Sequence, residues 1–297
     1  HGVHLDCGGI AHLHLHHIKG LRISNNTIRE CSTAAIAAAS ADHFSQFDSA
    51  EISDNVICRA AGSSPVSLYP CESATVSGNT FDTSAVSILD CIAQYMQVEN
   101  NQNLQIRSAA AGVLLPWRPI DCVVSGNTVT GATAAISLSC ITPATSKAVV
   151  SNNVVTGTDK GIYVAGSTYA TITGNDVTAA DEGIDAAPTS GGTVTITGNR
   201  VASGADAVVI AGANLATVNS NVITSTGGKC IKTTGDGAGS GAWAIVSENI
   251  SKGPPDDSQV NIAFYSTQFG MVTSNIVGGG STGIFMDGGT CGTVHAQ

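Results

Sequence analysis

Charge is scarce in this 297-residue chain: Asp, Glu, Lys and Arg together make up 11% of it, and aromatic residues only 4%. An ordinary soluble domain carries about 25% charged residues, so helical enzymes and coiled coils fit poorly. Basic residues are outnumbered 12 to 22, for a net charge of −10. That balance would repel a phosphate backbone, and nucleic acid is not an expected partner. No apolar run approaches the roughly 18 residues of a membrane span, and no basic segment followed by an apolar one opens the chain at His1. None of the nine cysteines forms a CxxC pair, and their odd number rules out a complete intramolecular disulfide set. They read instead as small buried hydrophobes. What is present is 42% hydrophobic residues and 34 glycines, enough for a sizeable core and suggestive of a β-rich, repetitive architecture.

Self-similarity is the dominant signal. A β-branched residue, two mostly small or polar residues and then Asn recur eleven times, with Asn at 26, 55, 79, 101, 127, 153, 175, 199, 221, 249 and 275. The spacing varies from 22 to 29 residues, short of the ~40 residues of a propeller blade. The residue three before each Asn is Val or Ile, and the one five before it is usually small or apolar. That alternation predicts a strand with one face inward. An apolar residue two after Asn predicts a second strand, and segments such as Gly161-Ile-Tyr-Val and Gly183-Ile-Asp-Ala predict a third. Three short strands per ~25 residues are stable only when coil stacks on coil. The expected fold is therefore an all-β single-stranded parallel β-helix of about eleven coils, near 50 Å long at about 4.8 Å per coil. Residues 1–297 read as one domain, and the repeats running nearly to Gln297 without a visible cap suggest a fragment of a longer chain. Asn at each corner is expected to adopt the left-handed conformation and to bond the corners above and below, while Asn25, one position off the register, is expected to be dispensable.

The V-x-x-N repeats with their following G-I strands resemble the right-handed parallel β-helix superfamily, which includes pectate lyases, polygalacturonases, other polysaccharide lyases and epimerases, and bacteriophage tailspikes. The resemblance spans about residues 10 to 290 and implies the right-handed sense, an elongated shape and a carbohydrate partner. The Asp-Asp, Gly-His-Gly and Arg-x-Lys patterns of polygalacturonase-like sites do not occur on a predicted strand, and no pectate-lyase-like calcium cluster is recognisable. No cofactor is expected.

Registering the coils on Asn brings distant charges together. Seven residues after Asn stand Lys160, Glu182 and Asp206, with Lys229 in line if its coil holds one extra residue; ten after stand Ser137, Tyr163, Asp185 and Val209, with Lys232 similarly displaced. Glu182, Asp185 and Asp206 are the candidate catalytic carboxylates, since a glycosidase needs one acid and one ionised nucleophile or base. Tyr163, Lys229 and Lys232 are candidate substrate contacts, and either lysine would serve β-elimination as a base if burial lowered its pKa. The alternative is a ladder of paired charges that only stabilises stacking.

His12, His14 and His16, alternating with Leu13 and Leu15, form a row about 6.6 Å apart along one face of a strand. They are weak metal candidates, better suited to a threefold axis than to one chain. Two excursions, 107–121 and 232–261, are expected to protrude as loops. The first carries Trp117 and Arg118, further candidates for stacking on a sugar and pairing with an acidic one. Three functions follow: a tailspike-like or fibre-like protein, homotrimeric and on a virion surface or otherwise extracellular, that binds and in one variant cleaves a surface polysaccharide; a secreted monomeric lyase or hydrolase; and a purely structural or adhesive rod.

Overall fold

The computed structural model describes residues 4–6, 20–29, 36–39, 47–58, 66–82, 88–109, 121–131, 134–139, 146–157, 159–189, 191–235, 242–253, 260–279, 282–287 and 293–296. Every regular element among them is a strand, and all strand pairings are parallel between successive coils. No helix among the described residues is long and apolar enough to cross a membrane.

One coil shows how sequence becomes structure. In Tyr169–Thr173, Ala170 and Ile172 point inward and are buried, whereas Tyr169, Thr171 and Thr173 face out. After the corner, Asp176–Ala179 buries Val177 and Ala179, and Ile184–Ala187 buries Ile184 and Ala186. Each strand pairs with its counterparts in the coils before and after, for example Ile172 with Val150 and Ile196. The inward residues of all coils merge into one continuous core along the axis. Cys122 and Cys230 belong to it, at 1% and 0% exposure, as expected of cysteines acting as small hydrophobes.

The coil count differs from expectation. From Asp121–Ser125 to Thr282–Met286 the chain makes seven turns of three separate strands. Before that, Val66–Ser77 and Ile88–Glu99 run without a break from the third strand of one coil into the first strand of the next, so the three-strand division of a turn is lost. The two excursions are also shorter than expected. Arg107–Ala109 lie in the strand Gln102–Ala109, and Trp243–Ser247 and Ile250–Lys252 form a regular coil inside 232–261.

The corner Asn residues are a buried ladder rather than a surface feature. Asn79, Asn101 and Asn249 are fully buried, and Asn55, Asn127, Asn153, Asn175, Asn199 and Asn221 are 1% exposed. Each amide oxygen accepts from both the backbone N–H and the side-chain amide of the Asn one coil earlier: Asn153 donates to Asn175 Oδ1 at 3.0 and 2.9 Å, and Asn175 to Asn199 Oδ1 at 2.9 Å twice. The left-handed residue is not the ladder Asn but the one before it. Asn25, Asp54, Gly78, Asn100, Gly126, Asn152, Gly174, Gly198, Ser220, Glu248 and Ser274 all have φ between 55° and 66°. That residue turns the chain, and the next side chain is thereby aimed into the core. Asn25 is accordingly a turn-forming residue at φ 58°, where Ala would be strained by roughly 1–2 kcal/mol.

Candidate functional site

Stacking delivers the charges to one flank. Lys160 opens the strand Lys160–Ala165 and pairs in register with Ala134, while Tyr163, Asp185, Val209 and Lys232 form one register line through the third strands of four coils. The pairing of Val209 with Lys232 confirms the one-residue displacement that the sequence required. The corner preceding these strands must be narrow. A Cβ added to Gly183 would stand 2.6 Å from the Ala207 carbonyl oxygen, and one on Gly161 equally close to that of Gly183. Glycine at 161 and 183 therefore lets Lys160 and Glu182 stack at close approach, with the Gly161 N–H donating to the Glu182 carbonyl at 3.0 Å.

The side chains form two ion-paired groups. Lys160 Nζ donates to Asp185 Oδ2 and lies 2.7 Å from Glu182 Oε2, with its ammonium 5.1 Å from the centre of the Tyr163 ring. The Glu182 approach is a charge contact and lacks the alignment of a hydrogen bond. One coil further on, Asp206 accepts from the Lys229 backbone N–H at 2.7 Å and from Lys232 Nζ at 3.2 Å. These groups are half-sheltered: Asp185 exposes 11% of its side chain, Asp206 16%, Glu182 23%, Lys160 30% and Lys232 33%.

Electrostatics follow from this pairing. Partial burial by itself would lower the Lys160 pKa, but the hydrogen bond to Asp185, the contact with Glu182 and their charges outweigh it and hold the ammonium well above the ordinary lysine value. A lysine so fixed cannot act as a base near neutrality. Burial pushes the nearby Cys230 thiol up to about 11, and its Sγ donates to Asn261 Oδ1 at 3.2 Å. Cys230 is therefore a packed thiol rather than a nucleophile.

The expected site residues thus fall into two groups. Glu182, Asp185, Asp206, Tyr163 and Lys232 are brought to one flank, and Lys229 joins them through its backbone. Trp117, Arg118, His12, His14 and His16 lie outside the described residues. Among the described residues no group of three or more His, Cys, Asp and Glu side chains is placed to hold a metal ion. Lys160 completes the group: the sequence places it in the column, but its role as the shared cation depends on where its flexible side chain lands.

A family model described as a right handed beta helix region matches residues 8–177 and, in a second overlapping match, 102–250. Neither a curated protein nor a solved structure matches the chain.

Proposed function

Since the chain belongs to the right-handed β-helix family, a scaffold on which side chains along the coils rather than the fold determine activity, we propose that it is a fibre-like, non-catalytic β-helix that binds a polysaccharide through its outer surface. The observation that carries this reading is the pairing of every candidate carboxylate with a lysine. A glycosidase acid and its partner must face a sugar with their oxygens available. Here Asp185 and Asp206 direct oxygens at ammonium groups, and Asp206 spends its other oxygen on a backbone N–H. Partly exposed charges of both signs beside the Tyr163 ring suit the recognition of sugar hydroxyls, which both accept and donate hydrogen bonds.

A second reading concerns assembly. On the first strands of the coils, the outward line carries no charge from Thr75 through Gln97, Val123, Val149, Thr171, Thr195, Thr217 and Ile245 to Met271, and before Thr75 it runs into the Glu51–Arg22 ion pair. A face of this kind favours side-by-side packing in a homotrimer of parallel rods, the alternative to leaving the first strands open to a ligand. A protein built this way operates outside a cell or on a virion surface, as a rod that displays glycan-binding flanks.

Affinity electrophoresis and calorimetry against neutral and anionic polysaccharides, with reducing-end assays run alongside, test the function. Retardation without release of reducing or unsaturated ends is expected, and Lys160→Met combined with Tyr163→Ala should weaken it. Chain cleavage that is lost in Glu182→Gln would overturn the non-catalytic reading. Light scattering reports assembly, and a monomer at micromolar concentration would remove the trimer.

A further inference from the structure

Among the described residues, four aromatic side chains are more than one-third exposed: Tyr95 at 44%, Tyr169 at 49%, Trp243 at 51% and Phe285 at 39%. The first three lie on a single register line. Tyr95 pairs with Asp121, Asp121 with Lys147 and Lys147 with Tyr169. Tyr169 in turn pairs with Thr193, Thr193 with Leu215 and Leu215 with Trp243. The aromatic rings are therefore three coils apart in both intervals, about 14 Å each at about 4.8 Å per coil. The line occupies the outer edge of the first strands, across the corner from the charged flank: Tyr163 and Tyr169 are separated by the turn containing Gly166, Ser167 and Thr168.

Burial does not explain these rings. In a chain with 4% aromatic residues, large apolar side chains that serve packing belong in the core, as Phe81 and Phe264 do at 1% and 0% exposure. Trp243 is instead held on the surface, its ring centre 4.7 Å from that of Phe269 in the next coil at an interplanar angle of 37°. Its backbone N–H is fixed to the Asn214 carbonyl at 2.8 Å, and that of Tyr169 to Ser146 at 3.0 Å. The scaffold between the rings is continuous parallel sheet, so their spacing is rigid. A flat ring face presents negative charge density to the C–H groups of a pyranose, stacks on it with little loss of side-chain freedom, and leaves the sugar's hydroxyls in water.

We propose that Tyr95, Tyr169 and Trp243 form a linear track on which one unbranched, uncharged polysaccharide lies along the axis of the rod, stacking a pyranose on each ring and bridging the intervals between them. This rests on the glycan-binding reading above and specifies its ligand class. A neutral polymer is favoured because the protein carries a net charge of −10, and because the charges between the rings, Asp121 and Lys147, are one of each sign in adjacent coils. A single stacked sugar binds weakly. Three rings on one rigid line convert the second and third contacts into intramolecular ones, so affinity depends on chain length.

Calorimetry and affinity electrophoresis with mixed-linkage β-glucan, galactomannan and xylan, and with polygalacturonate as the anionic comparison, decide the matter. The expected result is binding of at least one neutral polymer, and a loss of roughly 100-fold or more in the combined Tyr95→Ala, Tyr169→Ala, Trp243→Ala variant against roughly 3- to 10-fold for each single change. Short oligosaccharides of the same polymer, unable to reach from one ring to the next, should bind weakly and respond to only one of the three substitutions. Far-UV circular dichroism and an unchanged melting temperature would show that the triple variant is folded, and Tyr169→Phe, which keeps the ring, should retain binding. If the unaltered protein binds none of the polymers, the track and the glycan-binding reading both fall. If it binds a neutral polymer but the triple variant binds equally, while Lys160→Met with Tyr163→Ala does not, the glycan reading stands and the track falls. Binding confined to polygalacturonate would overturn the track as well.

Discussion

Replacing Asn175 by Ala should be among the most damaging single changes at the corners of the coils, although it removes only a short polar side chain. Asn175 Oδ1 is the acceptor for the backbone N–H and the side-chain amide of Asn153. Its own Nδ2 donates to the Val150 carbonyl at 3.0 Å, the Thr173 carbonyl at 3.1 Å and Asn199 Oδ1 at 2.9 Å. Of the groups left behind, the Asn153 side-chain amide keeps other acceptors in Val124 and Ser151, and Asn199 Oδ1 keeps the Asn175 backbone N–H. The Asn153 backbone N–H keeps nothing, and Asn153 is 1% exposed. One orphaned buried donor, with the added loss of the other bonds, gives about 2–4 kcal/mol. For a protein of 297 residues that is a fall of about 3–6 °C in melting temperature. Thermal unfolding followed by circular dichroism reads it, with Thr178→Ala, an exposed position in the same coil, as the control expected to change little. Equal melting temperatures for the two variants would refute the claim that the ladder stabilises the corners. A sharper form uses Asn175→Asp, which keeps the acceptor but turns a charge toward the Val150 and Thr173 carbonyls. It should be less stable than Ala at neutral pH and should recover when acid protonates it.

Two further changes test the charged flank. Gly183→Ala should destabilise by a few kcal/mol and displace the Glu182 corner, because the new Cβ meets the Ala207 carbonyl oxygen at 2.6 Å; a melting temperature within a degree of the parent would show that the corner yields. The raised pKa of Lys160 means that its ion contacts stabilise the fold fully below the ordinary lysine value and are lost as pH rises through the still higher folded value. Lys160→Met should therefore lower stability at neutral pH and flatten the decline above about pH 10.4, as read by melting curves from pH 7 to 11. An unchanged alkaline decline in that variant would place its source elsewhere.

The eleven V-x-x-N corners, the inward alternation around them and the stacking of Lys160, Glu182 and Asp206 over one another all follow from local periodicity, because in a solenoid the contact partner of a residue is its counterpart one repeat later. Even the displaced Lys232 was placed correctly by counting. The assignment of the left-handed turn to Asn rather than to the preceding residue failed for a local reason: Gly, Asp, Ser and Glu at that preceding position vary in identity, whereas the invariant letter in the repeat marks the buried hydrogen-bonding role.

Tertiary structure alone decided what the columns do. Residues 22 to 26 apart in sequence can be aligned by arithmetic, but whether a lysine reaches one carboxylate or two depends on rotamers and on burial in three dimensions, as Lys160 shares itself between Glu182 and Asp185 while Lys232 takes Asp206. The line of Tyr95, Tyr169 and Trp243 was hidden for a related reason. The three stand at one repeat position, each six residues before a corner Asn and 74 residues from the next, but the repeat does not say which residues at that position keep a ring open to solvent, and burial in three dimensions does. By itself the sequence determined the architecture, since stacked repeats bury their apolar faces only in one way; which side chains meet on the outside, and with what charge left over, was settled by the lengths of the turns between them and by the geometry of the coils.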